Sequence, residues 1–321
     1  MQRIPVILIT GFLGAGKTTF LNHLLQERAN ERLFVIENEV GKVNVDCELV
    51  INGEEDTADL TAGCLCCSLH DELLDVLEEV SARRAEYDRL VIETTGVADP
   101  TSIIQTFLGN WMVERVFDLQ QVVCLVEANH VEENLNATDE ARRQLMSADV
   151  VLLNKCDQVA EPEIDRLINV LRGIHPTATV FHGKNGVFPV EKIFAVRPFQ
   201  DERTARISPV IPTGTHRHSS ITTFTLTFDR PFHLQSLGHE IVKLVRLYHH
   251  QIYRIKGIIA VNNTPTRVVI QSVRDSFILT DGPPWEPDEK RISHIVFIGK
   301  EVKKEAIEKI FKRHLLKGST F

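Results

Sequence analysis

Residues suited to phosphate binding lie near the start of the chain. The pattern Gly11-x4-Gly16-Lys17-Thr18 follows the apolar run Val6–Ile9 and precedes leucines at helical spacing. Glycines at this spacing let successive backbone N–H groups surround a phosphate, lysine adds a positive charge, and threonine offers a hydroxyl to Mg²⁺. The pattern predicts a phosphate-binding loop between a strand and a helix. Its expected nucleotide contacts are Gly11, Gly14, Ala15, Gly16, Lys17, Thr18 and Thr19.

A second motif indicates which nucleotide this loop would bind. Asn154-Lys155-Cys156-Asp157 comes directly after the apolar run Val150–Leu153. A carboxylate at Asp157 can accept hydrogen bonds from both the ring N1–H and the 2-amino group of guanine, whereas adenine lacks this pair of donors. We therefore expect Asn154, Lys155 and Asp157 to select GTP over ATP.

An acidic residue ends a further apolar run. Glu93 follows Arg89–Ile92, and Gly96 stands three positions later. A carboxylate at such a strand end, beside a phosphate-binding loop, holds Mg²⁺ directly or through water. We expect Lys17, Thr18 and Glu93 to act in hydrolysis, and the backbone N–H of Gly96 to contact the γ-phosphate.

Two more acids, Glu37 and Glu39, follow the apolar run Leu33–Ile36. They are candidate ligands of Mg²⁺ or of an accessory metal, in a segment where a nucleotide-dependent switch would lie. The alternative is a solvated acidic turn, because exposed carboxylates usually have no further role.

Three cysteines, Cys64, Cys66 and Cys67, lie within four residues. Cysteine thiolates at this density suit Zn²⁺ or another late transition metal, and three ligands leave one position of a tetrahedral ion open for exchange. A glycine before them and a serine after them indicate a loop. The alternative is that they are small buried apolar residues, as free cysteines often are.

The elements that must position these groups are strands ending at Ile9, Ile36, Ile92 and Leu153. In an open α/β sheet, ligands bind at the edge formed by the carboxyl ends of the strands. The sequence therefore predicts an α/β fold, a P-loop NTPase domain with a mostly parallel sheet, over residues 1–197.

A change in composition predicts a second domain. Residues 198–220 contain several prolines and no hydrophobic period, which is typical of a linker. Residues 221–321 show the order βαβββα, with strands expected at Ile221–Phe228, Tyr253–Val261, Arg267–Val273 and His294–Ile298. We expect a smaller α+β domain with helices on one face of its sheet.

The overall composition excludes several classes of protein. The net charge is −8, with 25% charged and 43% hydrophobic residues. This balance argues against a general binder of nucleic acid or of anionic membranes. No apolar run approaches the ~20 residues that span a bilayer, and no secretory signal follows Met1. We therefore expect a cytoplasmic protein with reduced cysteines.

The order of the motifs resembles that of the CobW-type metallochaperone GTPases, which are relatives of the nickel-insertion GTPases of hydrogenase and urease maturation. The similarity extends to the C-terminal domain of that family. The motifs that carry it are Gly11–Thr19, Glu37–Gly41, Cys64–Cys67, Glu93–Gly96, Asn154–Asp157, Arg254–Gly257 and Val296–Gly299.

This resemblance implies Mg²⁺-dependent GTP hydrolysis and delivery of a metal, commonly Zn²⁺, to client metalloproteins. Within it, Cys64, Cys66 and Cys67 would carry the metal. An alternative from another class is a GTP-dependent regulatory switch in which the cysteines form a zinc or redox sensor. A small-molecule kinase fits the guanine motif poorly. The sequence leaves open whether the protein forms a homo-oligomer.

Overall fold

The fold was analysed in a computed structural model that describes residues 3–37, 45–51, 54–60, 69–96, 98–196, 221–248, 250–273, 276–286 and 289–316. The chain divides into two compact units, Met1–Arg172 with Ala178–Pro198, and Gly173–Thr177 with Phe199–Phe321. Glu39, the cysteine motif at 64–67 and the expected linker at 198–220 lie outside the described residues. The predictions for these segments and for the domain boundaries stay predictions.

An eight-stranded sheet organises the first unit, in the spatial order β4-β3-β2-β5-β1-β6-β7-β8. The six strands from β2 to β8 pair in parallel, and β3 and β4 extend the sheet as an antiparallel hairpin at one edge. This arrangement confirms the predicted α/β fold with a mostly parallel sheet. The strands are β1 Ile4–Gly11, β2 Leu33–Glu37, β3 Val45–Ile51, β4 Glu54–Leu60, β5 Arg89–Glu93, β6 Phe117–Glu127, β7 Val150–Asn154 and β8 Thr179–His182.

Helices cover this sheet, which explains why the central strands read as continuous apolar runs. Ile7 and Ile9 of β1 pack with Phe20 and Leu24 of the first helix in one buried cluster. None of the described helices combines the length and the apolar character that crossing a lipid bilayer requires. The helices are α1 Lys17–Glu27, α2 Leu69–Ala82, α3 Thr101–Gly109, α4 Trp111–Val116, α5 Val131–Ala137, α6 Asp139–Ser147, α7 Glu161–Ile174 and α8 Val190–Ala195.

The helices α3 to α6 were not anticipated from the sequence. They are 9, 6, 7 and 9 residues long. Segments of about two and a half turns or fewer show too few repeats of the 3.6-residue period to be recognised from hydrophobicity. α6 packs against β1 and β6, so it lies over the strands that carry the expected site.

A five-stranded antiparallel sheet organises the second unit, in the order β12-β11-β10-β13-β9. Its core joins the inner faces of the strands to two helices, with Phe232, Phe297 and Phe311 among the fully buried side chains. An α+β fold with a helix-covered sheet was predicted and is confirmed. The strands are β9 Ile221–Phe228, β10 Ile252–Ile259, β11 Thr266–Val273, β12 Ser276–Pro284 and β13 Ser293–Lys300, and the helices are Leu234–Leu247 and Lys304–Lys312.

The predicted strand order of this unit was wrong in one respect, because it omitted β12. The segment Ser276–Pro284 ends in Asp-Gly-Pro-Pro, residues that are typical of turns. Among the described strands, β12 pairs with β11 alone and forms an edge of the sheet, where proline is tolerated because one side of the strand needs no ladder hydrogen bonds.

The aromatic cluster around Phe311 generates a stability prediction. The Phe311 ring contacts the rings of Phe297, Phe232 and Phe228 at centroid distances of 5.6, 6.2 and 6.2 Å. Phe311→Ala should lower the free energy of unfolding of this unit by about 3–5 kcal/mol, because it leaves a cavity. Urea unfolding followed by Trp285 fluorescence, in a Trp111→Phe background, would measure it.

Phe277→Ala is the matched control, since Phe277 packs against the same core but is only partly buried. Phe277→Ala should lower the free energy of unfolding by clearly less than Phe311→Ala does. Equal losses for the two variants would contradict the view that Phe311 anchors the last helix to the sheet.

Candidate nucleotide site

The phosphate-binding loop joins β1 to α1, and its last residue, Gly16, needs a backbone that only glycine adopts easily. Gly16 caps the N-terminus of α1 with φ 95° and ψ 31°. A Cβ added there would lie 2.4 Å from Nδ2 of Asn154. A side chain is therefore excluded both by the left-handed conformation and by the neighbouring amide. The loop presents its backbone, as a phosphate cradle requires.

The amide of Asn154 holds this loop from the end of β7. Nδ2 of Asn154 donates a hydrogen bond to the carbonyl of Ala15 at 2.9 Å, and Oδ1 accepts one from the N–H of Gly186 at 3.1 Å. The side chain is 2% exposed. Since both polar atoms are used within the protein, this geometry favours a bracing role for Asn154, with the guanine contact left to Asp157.

Thr18 and Glu93 meet beside the loop, as their places in the sequence predicted. The Thr18 hydroxyl donates to Oε1 of Glu93 at 2.9 Å. Glu93 is buried at the end of β5, and Glu37 is its register partner at the end of β2. A hydroxyl and two neighbouring strand-end carboxylates are oxygen groups of the kind that Mg²⁺ prefers.

Lys17 is held within the loop that it follows. Its ammonium donates to the carbonyl of Phe12 at 3.3 Å, and the residue is 8% exposed. Burial lowers the pKa of Lys17 below its ordinary value, and nearby Glu93 and Cys124 oppose part of this shift. A phosphate beside the ammonium would favour its charged form, so binding of an anion would compensate for the burial of this charge.

The turn after β5 lies against the phosphate-binding loop. A Cβ added to Gly96 would lie 2.7 Å from Cα of Leu13, so no side chain fits between them. The buried hydroxyl of Thr94 donates to that of Thr10 at 3.1 Å, and the N–H of Thr94 donates to the Ile9 carbonyl. The ends of β5 and β1 are thereby joined, which brings Gly96 close to where a terminal phosphate would bind.

The base-side residues start at the left-handed turn after β7, where Lys155 has φ 58°. Its ammonium lies 3.0 Å from Oε1 of Glu127, at the end of β6. Asp157 is exposed in the single 3₁₀ turn Cys156–Gln158. Its carboxylate is therefore open to a base, whereas Lys155 has an acidic partner.

Glu127 is a site residue that the sequence reasoning missed. Its carboxylate contacts Lys155 and lies 3.9 Å from the position that a Cβ on Gly14 would take. It ends β6 directly after the apolar run Val122–Val126, so the same strand-end rule that located Glu93 would have found it. It stands between the phosphate side and the base side of the site.

Two isolated cysteines, Cys124 and Cys156, are not available as metal ligands. Cys124 and Cys156 are buried, and burial raises the pKa of both thiols, to about 12 for Cys124. Within the described part of the chain, no group of three or more His, Cys, Asp or Glu residues has an arrangement suited to a metal ion. The site predicted at Cys64, Cys66 and Cys67 lies outside that part.

Comparison with protein families gives the relationship of this chain to known proteins. Residues 5–182 match the family described as "CobW/HypB/UreG, nucleotide-binding domain". The chain belongs to the CobW/HypB/UreG family. Residues 221–315 match "Cobalamin synthesis protein cobW C-terminal domain", so both units have counterparts among CobW proteins, and the resemblance inferred from the motifs is confirmed.

Individual relatives are similar over almost their whole length. "Zinc chaperone YjiA" of Escherichia coli is 34% identical over 316 residues, covering 97% of this chain and 98% of the relative. "Zinc chaperone CobW" of Pseudomonas aeruginosa is 30% identical over 345 residues, covering 96% and 90%. The crystal structure of the Zn(II)-bound YjiA GTPase superposes with a TM-score of 0.72 and 31% identity, covering 98% of this chain and 100% of that one.

The double contact of Asn154 generates a prediction that separates bracing from base recognition. Asn154→Asp replaces the donor to Ala15 with an acceptor, and should lower the free energy of unfolding by about 1–3 kcal/mol. Because the phosphate-binding loop loses its support, affinity for GTP and ATP should fall by similar factors. Fluorescent nucleotide titration and thermal unfolding would measure both effects.

Asn129→Asp is the matched control, since the Asn129 amide donates to the exposed side chain of Gln158 instead of to the phosphate-binding loop. It should leave stability and nucleotide affinity nearly unchanged. If Asn154→Asp erased the preference for GTP over ATP while overall affinity stayed high, Asn154 would read the base and the bracing role would be wrong.

Proposed function

We propose that this protein is a GTP-hydrolysing zinc metallochaperone. The observation that carries the proposal is that one sheet edge collects the phosphate-binding loop, the Thr18–Glu93 pair and the Asp157 turn. Phosphate binding, Mg²⁺ binding and guanine selection are thereby combined in one site. Its relatives named as a zinc chaperone and as a Zn(II)-bound GTPase support the assignment of GTP and zinc.

In this proposal the nucleotide lies across the loop, with its phosphates on the backbone of Gly14, Ala15 and Gly16. Lys17 neutralises phosphate charge. Because burial disfavours the charged ammonium, a phosphate beside it would stabilise the charged form. Thr18, Glu93 and Glu37 would hold Mg²⁺, which supplies charge stabilisation for phosphoryl transfer.

The base side of the proposed site is built on a different strand. Asp157 would accept from the guanine N1–H and 2-amino groups, with Lys155 in the same Asn154–Asp157 motif. Asn154, which stands directly before the Asp157 turn, joins the phosphate-binding loop to the turn after β8 through the Ala15 carbonyl and the Gly186 N–H. Thr19 and Gly96 complete the predicted nucleotide contacts.

Zinc is the proposed cargo rather than a resident cofactor. Cys64, Cys66 and Cys67 would carry it, because three soft thiolates bind Zn²⁺ tightly and leave a position open for a receiving ligand. Their segment joins β4 to α2 in the chain, between the strand ends at Glu37 and Glu93. Glu39 is proposed as an accessory ligand in the same region. Delivery to a client metalloprotein completes the proposed function.

The alternative proposal is a GTP-dependent switch whose cysteines sense zinc or redox state. The two differ in one measurable property, transfer of zinc. A chaperone loaded with zinc and GTP would restore activity to a zinc-depleted client enzyme, with a GTP requirement. A sensor would bind zinc and change its partners without restoring any enzyme. We infer cytoplasmic operation, and the assembly state is a further quantity for solution measurement.

Nucleotide choice gives a sharp prediction at Asp157. The unmodified protein should bind GTP much more tightly than ATP. Asp157→Asn should weaken GTP binding by about tenfold or more, since an amide cannot accept both guanine donors. The same variant should improve binding of xanthosine triphosphate, whose 2-carbonyl can accept from the new amide. Competition against a fluorescent guanine nucleotide would measure all three.

Asp165→Asn is the control, because it makes the same chemical change within α7, outside the motif. It should change none of these affinities. Equal affinity of the unmodified protein for GTP and ATP would remove the guanine assignment and with it the GTPase proposal.

A second prediction couples zinc to the nucleotide. The three cysteines lie in the chain between the strand ends at Glu37 and Glu93, which are expected to respond to the nucleotide. The protein should therefore hold zinc with different affinity in the GTP and GDP states. Coupling of this kind typically changes the affinity by about 5- to 150-fold. Zinc competition titration under reducing conditions, first with a non-hydrolysable GTP analogue and then with GDP, would measure it.

The matched variants for this titration are a triple Cys64→Ser, Cys66→Ser, Cys67→Ser protein and a Cys124→Ala protein. The triple variant should lose tight zinc binding and its nucleotide dependence, since serine is a poor ligand for a soft metal. The Cys124→Ala protein should retain both, because Cys124 is a buried thiol. Identical zinc affinities in the two nucleotide states would favour the sensor over the chaperone.

A further inference from the structure

A buried glutamine outside all the motifs holds the turn that contains Gly96. Gln144 lies on α6 and is 1% exposed. Its Nε2 donates to the carbonyl of Gly96 at 3.1 Å and to the carbonyl of Ala98 at 3.0 Å. The neighbouring Arg143 forms an ion pair with Asp99 at 3.3 Å. Two consecutive side chains of α6 therefore bind the segment that follows β5.

The orientation of this turn follows from the planarity of its peptides. The carbonyl of Thr95 accepts from the N–H of Ala98 at 3.2 Å, so it points into the turn. In a trans peptide the carbonyl and the N–H of the next residue point in opposite directions. The N–H of Gly96 is therefore directed out of the turn, while its carbonyl is held by Gln144.

Gly96 is also fixed from the other side by its closeness to Leu13 in the phosphate-binding loop. It thus lies between α6 and the loop, with its carbonyl bound and its N–H directed out of the turn. Two hydrogen bonds from one buried amide restrict the turn more than a solvent-exposed contact would, because breaking them leaves buried carbonyls without partners.

We propose that Gln144 is a positioning residue for recognition of the γ-phosphate, an inference that rests on the proposed GTPase function. By binding the carbonyls of Gly96 and Ala98, it sets the Gly96 N–H beside the phosphate-binding loop before nucleotide arrives. Donors fixed in advance bind a charged group with less reorganisation than mobile ones. GDP lacks the γ-phosphate, so its affinity does not depend on Gln144.

α6 also links this turn to the guanine side. The helix ends at Ser147 and the chain enters β7 at Val150, whose last residue is Asn154. One short helix-strand unit therefore carries the amide that positions Gly96 and the amide that supports the phosphate-binding loop.

The chain offers a matched control in Gln121. This second buried glutamine is also 1% exposed, and its Nε2 likewise donates to two backbone carbonyls, those of Ile193 and Val196. It holds the end of α8 instead of the turn after β5. Gln121→Leu therefore removes the same kind of double contact without touching Gly96.

The test uses the full chain with Mg²⁺ and measures dissociation constants for GDP and for a non-hydrolysable GTP analogue. Gln144→Leu should reduce the preference for the analogue over GDP by roughly tenfold and leave GDP affinity unchanged. It should lower kcat for GTP hydrolysis more than it changes KM. Gln121→Leu should lose thermal stability to a similar extent but keep the preference and kcat.

Gln144→Met provides a second variant that keeps the length of the side chain and adapts to the same space. It should reproduce the loss of preference. An unchanged ratio in both Gln144 variants, or an equal change in Gln121→Leu, would overturn the inference. Failure of the unmodified protein to prefer GTP over ATP would instead refute the proposed GTPase function, so the two failures are distinguishable.

Discussion

The candidate site depends on one requirement, that the backbone between β1 and α1 be held in place without any side chain intruding. The amide of Asn154 meets it, because its two polar atoms bind the Ala15 carbonyl and the Gly186 N–H. A buried amide must find partners for both atoms. One side chain at the end of β7 therefore joins the phosphate-binding loop to the turn after β8.

The parallel sheet converts distant sequence positions into neighbours. Glu37 and Glu93 are 56 positions apart in the chain, but they are register partners at the ends of β2 and β5. Thr18 then reaches Glu93 from the start of α1. Because parallel strands end at a common edge, each βα connection delivers its first polar residue to the same place. The functional residues thus lie at the strand ends and in the loops that follow them, and the apolar strands hold these loops at one edge of the sheet.

The buried charge of Lys17 makes this site favour an anion before any ligand binds. Lys17 is buried with a lowered pKa, so its charge is costly without an anion nearby. The Gly96 turn, with its carbonyl bound by Gln144, is already in place on the other side of the loop. Because these groups are already in place, binding of a triphosphate requires little rearrangement of the protein. The cysteines lie in the chain between the strand ends at Glu37 and Glu93, and the proposed coupling of zinc to the nucleotide rests on this order.

The sequence by itself determined the fold class, the motifs and the strand ends on which they lie, because glycine spacing and strand-length apolar runs are local properties of the chain. Only the tertiary structure decided how those residues work together. Asn154 fits a guanine motif in the sequence but binds two backbone groups of neighbouring loops in the structure. Glu127 stands at a recognisable strand end, but its contact with Lys155 becomes visible only in the fold, and Gln144 and the short helices carried no recognisable signal. Their roles arise from contacts between residues far apart in the chain, and a buried amide or carboxylate acquires a role only when folding supplies its partners.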